Sequence, residues 1–366
     1  ALSRSLWHGW GAQMPAALAR AGLTAPAVRD SFTFDPWLLT SGGADNGRLP
    51  TRIDRSQIAY GADARLQSLL ATADARPETR AAAGDLASIV AAWYFGANPA
   101  GQPMYDAATG RTFDGIDNDG TVNQNSGAES TIHGLLSMLA LDAHPHLART
   151  VRPSQITDRE GTTTVEAETG SLTGGAAAVT PDSLWTGESQ LGGTGYVEVP
   201  DGGAVRIAVP REEGALLLPV VDQRPGSGRL VVSSGPRGLG SVDAGAVGGQ
   251  GDSPAPGLIA PLTLPRPLPR GASTLTLTAR GGPVALDAVM VEPAVSRVVI
   301  EGERHATALL RSSADRPERT KVRLPGSGRA RISTYDGSGR RIDSTTTKAR
   351  TITVTVPQGA FAIARR

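Results

Sequence analysis

Glu129 is the residue whose surroundings most invite chemistry. It lies in Asn123-Gln-Asn-Ser-Gly-Ala-Glu-Ser-Thr131, directly before an apolar run that presents Ile132, Leu135, Leu136 and Leu139 at helical spacing. Two readings of this glutamate stand side by side. Ser126-x-x-Glu129 has the spacing of a capping box, which alone explains a glutamate there. Alternatively, Glu129 lies three residues before Ile132 and seven before Leu136, so it shares the helix face expected to be buried. A carboxylate on that face, beside a long polar loop, sits where its pKa shifts, as a general acid requires.

The loop before it, from about 95 to 125, is rich in Asp, Asn, Gly and aromatic residues. Structureless stretches beyond about 12–15 residues are uncommon in compact domains, so a functional loop is expected. Within it, Asp114, Asp117 and Asp119 of DGIDNDG carry hard oxygen donors. An EF-hand would place its first ligand at position 115, a glycine, so that spacing fails. Turns in which Asp and Asn bond their own backbone, sugar-hydroxyl binding and calcium all remain open. No cysteine is present, which excludes disulfides, thiolate metal sites and thiol nucleophiles. The five histidines, His133 among them, are scattered without ligand spacing, and no nucleophile elbow, P-loop or dinucleotide fingerprint occurs.

Helices must position these groups. A short Ala/Leu helix is expected up to Gly22, then an irregular stretch over 31–55. Ile58, Ala62, Leu66, Leu69 and Leu70 predict a helix capped by Ser56. Leu86, Ile89, Val90, Trp93 and Tyr94 predict a strongly amphipathic one ended by Gly96 and Pro99. Trp93 and Tyr94 fit a core pattern.

The pattern W-x-F-G-A-N-x-x-G-x-P-x-Y-D, a following D-G, and N-x-N-S-G-A-E-S-T-x-x-x-L-L-x-x-L resembles the closing part of six-hairpin (α/α)6 glycosidases, the cellulase-like group, over about residues 50–142. By position, Trp93, Gly96, Asn98 and Pro99 match its helix end, Tyr105, Asp106, Asp114 and Gly115 its acidic loop, and Asn123, Asn125 and Glu129 its last inner helix start. The resemblance implies that Glu129 is the proton donor. It also implies that Tyr60, Trp93 and Tyr105 are candidates to stack on sugar, with core packing equally open to Trp93. Only about four helices precede the β-rich region, against twelve in a full toroid. Inverting glycosidases need a second carboxylate roughly 6.5–9.5 Å from the acid. In the family this base comes from the early barrel; Asp35, Asp54 and Asp114/Asp117/Asp119 are the local substitutes. A second chain completing the toroid, such as the N-terminal fragment of one precursor, is therefore expected.

From Thr162 onward helical period gives way to short alternating runs: TTTVEAE, GYVEVP, AVRIAVP, GALLLPVV, RLVVSS, STLTLTA and PVALDAVMVEP, with Gly, Pro, Ser and Asp between them. That is the pattern of a β-sandwich or jelly roll. A glycine- and serine-rich loop is expected over 235–256. The opening Val165-Glu-Ala-Glu168 and closing Ala285-Leu-Asp-Ala-Val-Met-Val-Glu292 resemble carbohydrate-binding jelly rolls, which implies a structural Ca²⁺ on Glu166, Glu168 and Asp287; surface carboxylates on edge strands are the plainer alternative. Trp185, in SLWTGES, is a candidate stacking platform. After Pro293, runs such as KVRLP, ARISTY and TITVTVP predict a small β-domain, with a hairpin at Tyr335-Asp336-Gly337. Residues 299–366 hold 14 Lys/Arg against 6 Asp/Glu, a basic surface for solvent or for an anionic partner.

With 366 residues, more than one domain is expected, and a net charge of +1 gives no global pull toward nucleic acid. No apolar run reaches the roughly 18 residues of a membrane span. The chain starts at Ala1, and only Lys321 and Lys348 are lysines, consistent with a processed chain from a GC-rich bacterial genome. The expected architecture is multidomain α + β: residues 1–150 as the C-terminal part of an (α/α)6 domain, 151–298 as a carbohydrate-binding-type jelly roll, and 299–366 as a small β-sandwich. The expected function is glycoside hydrolysis of a polysaccharide or oligosaccharide, secreted or at the cell surface. It needs no catalytic cofactor and uses Glu129 as general acid. The alternative is a non-catalytic glycan-binding or structural subunit.

Overall fold

The structure, a computed structural model, describes residues 13–45, 56–148, 151, 154–184, 191–246, 258–303 and 305–366. The fold is mixed, mostly β with a few helices, and the chain forms two compact units. One is built from residues 162–294. The other joins the helical region before residue 161 to the strands of 295–366.

In the helix-containing unit, α1 (Met14–Arg20) stops before Gly22, whose φ of 81° suits a residue without Cβ. Residues 24–41, expected irregular in large part, are helical instead. They form α2 (Thr24–Arg29), a π-helical turn (Asp30–Phe34) and α3 (Asp35–Ser41). The cause is long-range. Phe32, Leu38 and Leu39 are buried, and Asp30 and Asp35 take the buried Arg65 guanidinium at 2.9 and 3.1 Å. Burial pushes the Asp35 carboxyl well up, with Arg65 opposing it.

Two longer helices follow, α4 (Ala59–Ala75) and α5 (Arg80–Ala91). Their alanine and leucine faces, Ala62, Leu66, Leu69, Ala83, Leu86 and Val90, are buried as the spacing predicts. The start of α4 differs from expectation. Ser56 is not its cap, because Gln57–Ile58 is a short strand paired with Gly115–Ile116. Asp45 supplies the acceptor instead, taking the Ile58 N–H at 2.9 Å. Gly61 makes room for it, since a Cβ there would lie 1.8 Å from the Asp45 carboxylate.

These helices share one core with the C-terminal strands: Leu66, Leu86, Trp93 and Tyr94 with Leu309, Tyr335, Phe361 and Ile363. The Phe361 ring stacks on Phe32 at 6.3 Å and on Tyr335 at 5.2 Å. Each such fully buried large side chain stabilises by about 1.5–3 kcal/mol. The strands form a six-stranded antiparallel sheet in the order Arg341–Thr347, Ala330–Tyr335, Phe361–Arg365, Ala306–Ser312, Val295–Gly302, Ser154–Glu160. Ile352, Val354 and Val356, alternating along Thr351–Val356, are buried in a second cluster with Leu310, Ile332 and Ala364. The Tyr335-Asp336-Gly337 hairpin is present, closed by Asp336 accepting from Ser338 and Arg340.

The 162–294 unit is a sandwich of two antiparallel sheets. One orders Leu258–Pro261, Leu216–Gln223, Val284–Glu292, Tyr196–Val199 and Ala177–Val179, with Thr163–Glu166 also on Val284–Glu292. The other orders Arg237–Asp243, Arg229–Ser234, Thr274–Arg280, Ala204–Ala208 and Ser171–Thr173. All seven expected runs are strands. Four further strands join them, Ser171–Thr173, Ala177–Val179, Leu258–Pro261 and Arg237–Asp243, the last expected in a loop and made a strand by pairing with Arg229–Ser234.

Candidate active site around Glu129

The stretch between α5 and the next helix is not structureless. It folds into two small hairpins, Tyr105–Asp106 with Arg111–Thr112 and Gly115–Ile116 with Val122–Asn123. Its Asp and Asn residues hold those turns. Asp106 accepts from the Ala108 N–H at 2.9 Å and the Thr109 hydroxyl at 2.6 Å, and the Thr109 bond leads in holding its carboxyl below the ordinary range. Asp119 accepts from Thr121 N–H, and Asn123 from Asn125 N–H. Of the open readings for this loop, turn chemistry accounts for Asp106, Asp119 and Asn123. Tyr105 is half-buried with its ring edge-on to Phe95 at 6.5 Å.

Glu129 opens α6 (Ala128–Ala143). The capping box is not made. The Ser126 hydroxyl pairs with Thr131 at 3.2 Å, and the cap comes from across the loop, where Asp114 accepts the Gly127 N–H at 2.7 Å. Asp114 also donates its own N–H to Asn125 O at 2.9 Å. Asp114, Asn123 and Asn125 therefore shape the start of α6, with the Asp114 contact falling at Gly127, two residues before Glu129.

The face of α6 is the reverse of expectation. Ser130, Gly134, Ser137, Met138 and Leu141 are buried, whereas Ile132, Leu135, Leu136 and Leu139 are 56, 42, 42 and 64% exposed. Glu129 does share a face with Ile132 and Leu136, and that face is open. The reason is close packing on the small side: a Cβ on Gly134 would lie 1.9 Å from the Thr112 hydroxyl. Small residues let α6 sit against the hairpin, and its leucines turn outward.

Beside Glu129 the structure assembles groups that spacing alone did not join. His133, one turn on, places Nδ1 2.7 Å from Asp63 of α4. Asp63 is buried and also accepts from Ser137 at 2.8 Å and Gln67 at 3.1 Å. Ser137 reaches the buried Tyr94 hydroxyl at 3.2 Å. The Tyr60 ring lies 4.5 Å from the His133 ring. Slight burial, then the charges of Glu129, Asp45 and Asp63, hold the Tyr60 phenol above its ordinary range. Tyr60 and Glu129 thus belong to one polar cluster. With Nδ1 bound to Asp63, the tautomer is set and Nε2 is the nitrogen available for a ligand. His133 was legible only as the residue four after Glu129; Asp63 was not.

Other expected residues lie elsewhere. Trp93 is 1% exposed with its indole N–H donated to Gln57 at 2.9 Å, so it belongs to the core and has no face to offer a sugar. Asp35 is likewise buried on Arg65, where it has no access to activate water. Trp185 and Asp54 lie outside the described residues.

In the sandwich unit, Glu166, Glu168 and Asp287 do converge. Glu166 pairs with Ala288 in the sheet, next to Asp287, and Gly193 packs within about 3.2 Å of both glutamates at its Cβ position. Asp287 accepts from the Gly192 N–H at 3.0 Å. Burial first, then the charge of Glu166, pushes its carboxyl up to about 9, with Glu168 adding to the effect. The buried Glu168 Oε2 has no hydrogen-bond partner among the described residues. No three His, Asp or Glu side chains among those residues are arranged as a ready-made metal cage. The donor set suits a hard cation all the same, being three converging carboxylates.

No family profile matches the chain, and no curated protein matches its sequence. Among solved structures, the catalytic domain of a GH87 α-1,3-glucanase in complex with nigerose is 15% identical over 36% of this chain and 28% of that one, with a TM-score of 0.28. The catalytic unit of the thermostable GH87 α-1,3-glucanase from Streptomyces thermodiastaticus is 24% identical over 36% and 26%, at 0.26. The C-terminal CBM6 of LamC from Zobellia galactanivorans is 15% identical over 36% of this chain and 98% of that module, at 0.28. The chain thus spans under a third of the glucanase domains. Likeness of this degree establishes neither a shared fold over the whole chain nor an activity.

Proposed function

We propose that the chain is a carbohydrate-active protein of glycoside hydrolase type in which Glu129 is the general acid. The observation that carries this reading is the cluster at the open start of α6. Glu129 is exposed, Tyr60 feels its charge, and His133 is anchored one turn away on a buried carboxylate. An acid beside an aromatic ring and an imidazole can protonate a leaving oxygen while the ring and imidazole meet the sugar.

The exposed leucine face of α6 supports a second element of the reading: further helices, supplied by another chain, cover Ile132, Leu135, Leu136 and Leu139 and bring the water-activating carboxylate. Apolar residues grouped on one helix face mark an interaction surface rather than scattered exposure. Within this chain the carboxylates whose charges reach Tyr60 with Glu129, namely Asp45 and Asp63, are buried and hydrogen-bonded, so neither has the open side a base needs. Glu166, Glu168 and Asp287 would hold a structural Ca²⁺ that neutralises their mutual repulsion. A secreted or cell-surface location goes with this reading.

A non-catalytic glycan-binding subunit is the second reading. It is favoured by the burial of Asp45 and Asp63, the two carboxylates whose charges reach Tyr60 together with Glu129. Incubation with a panel of polysaccharides, scored for released reducing ends and for retardation in glycan-containing gels, separates the two. Release of reducing ends supports the hydrolase; retardation without release supports the binder; neither outcome with any glycan removes both.

A further inference from the structure

The helix-containing unit holds a concave site whose lining includes neither Glu129 nor His133. A cavity of about 560 Å³ lies between the first turns of α5 and the strands Ala330–Tyr335 and Phe361–Arg365, within the size range of small-ligand pockets. Its lining includes Arg80, Arg331, Arg341 and Arg365 with Glu78 and Asp85. Both acids are already matched. Glu78 pairs with Arg76, and Asp85 holds Arg365 at 2.8 Å while accepting from the Tyr335 hydroxyl at 2.8 Å. Arg80, Arg331 and Arg341 are left with no carboxylate partner among the described residues.

Sheet register sharpens the point. Arg331 stands directly opposite Arg365 on the neighbouring strand, and Arg341 opposite Tyr335. Like charges facing each other across a strand pair are unfavourable unless a counter-charge lies near. Asp85 serves Arg365; nothing in the described cavity serves Arg331. The three arginines come from a helix start and two strands, so their charge is spread round the cavity. That distribution suits several anionic groups on one ligand, each met by a guanidinium fork.

We propose that this cavity binds a small ligand bearing two or more carboxylate or sulfate groups, with the chemistry of an acidic oligosaccharide. This site is separate from Glu129; its polyanion chemistry stands on the arginines alone, and the choice of a saccharide rests on the carbohydrate-active reading above.

The test is calorimetric titration of the full chain at low ionic strength with trigalacturonate, a sulfated uronate disaccharide and, as a different polyanion, a short oligothymidylate. Binding of either saccharide is expected, and the Arg331→Ser/Arg341→Ser pair should weaken it about tenfold or more. A control pair on exposed positions outside the cavity, Arg319→Ser/Arg350→Ser, should leave it unchanged, with thermal melts confirming that both variants fold. The proposal is overturned if neither saccharide binds, if only the oligonucleotide binds, or if the control pair weakens binding as much as the cavity pair.

Discussion

Asp63 and His133 meet at 2.7 Å, tying the buried side of α4 to the open rim of α6. Asp63 is enclosed and also serves Ser137 and Gln67. An asparagine there keeps one acceptor oxygen but sets an NH2 group against the donors that met the other. Asp63→Asn is expected to cost about 1–3 kcal/mol in urea unfolding, and a double-mutant cycle with His133→Gln should give a coupling of about 1 kcal/mol or more. Additive single effects would mean that the contact contributes nothing to stability.

Gly134 is where α6 touches the Arg111–Thr112 strand. Gly134→Ala places a methyl against the Thr112 hydroxyl and should destabilise by about 1–3 kcal/mol despite alanine's better helix propensity. Thr112→Ala in the same chain should recover part of the loss. A more stable Gly134→Ala would show that the helix can shift away from the hairpin at little cost.

The outward leucines make the opposite prediction. Leu135→Gln/Leu139→Gln should change the stability of the isolated chain by less than about 0.5 kcal/mol, as surface changes do. The same pair should abolish assembly with the helical partner proposed above. Size-exclusion chromatography with light scattering reads the second effect. A large stability loss would mean that this face is packed within the chain.

Asp287 gives a pH prediction. Its folded-state pKa, about 9, lies above the unfolded value of 3.8, so the folded form keeps a proton that the unfolded form releases. In chelator, that group's contribution is therefore full below about pH 4. It falls as pH rises toward 9, by on the order of 1 kcal/mol per unit, and levels off above. Calcium should flatten the slope, and Asp287→Asn should remove both the slope and the calcium response. Thermal melts between pH 5 and 9, with and without Ca²⁺, read all three.

Much of this architecture could be read from residue order. Ile58 to Leu70 and Leu86 to Tyr94 gave two helices because their apolar spacing coincides with burial. The alternating runs from Val165 to Val291 gave the sandwich for the same reason. What stayed hidden depends on distant partners. Asp30 and Asp35 need Arg65 to fold into helix, and Asp114 caps Gly127 from across a hairpin. Ser154–Glu160 is a strand because Val295–Gly302 pairs with it. The face of α6 was misjudged because periodicity assigns leucines inward, whereas here Ser130, Gly134 and Ser137 win the close contact. At the candidate site Glu129 and Tyr60 were legible, and the Asp63–His133 pair was not, since nothing local places α4 beside α6.

The most direct test of the central claim is Glu129→Gln, measured as reducing-end release from the best glycan of the panel by the protein assembled with its partner. The substitution keeps the shape of an exposed side chain and removes only its ability to give a proton. Loss of a general acid should lower the rate by about 10²–10⁴-fold with folding and glycan affinity retained. An unchanged rate would contradict the assignment of Glu129 and, with it, the account of this site as a hydrolase centre.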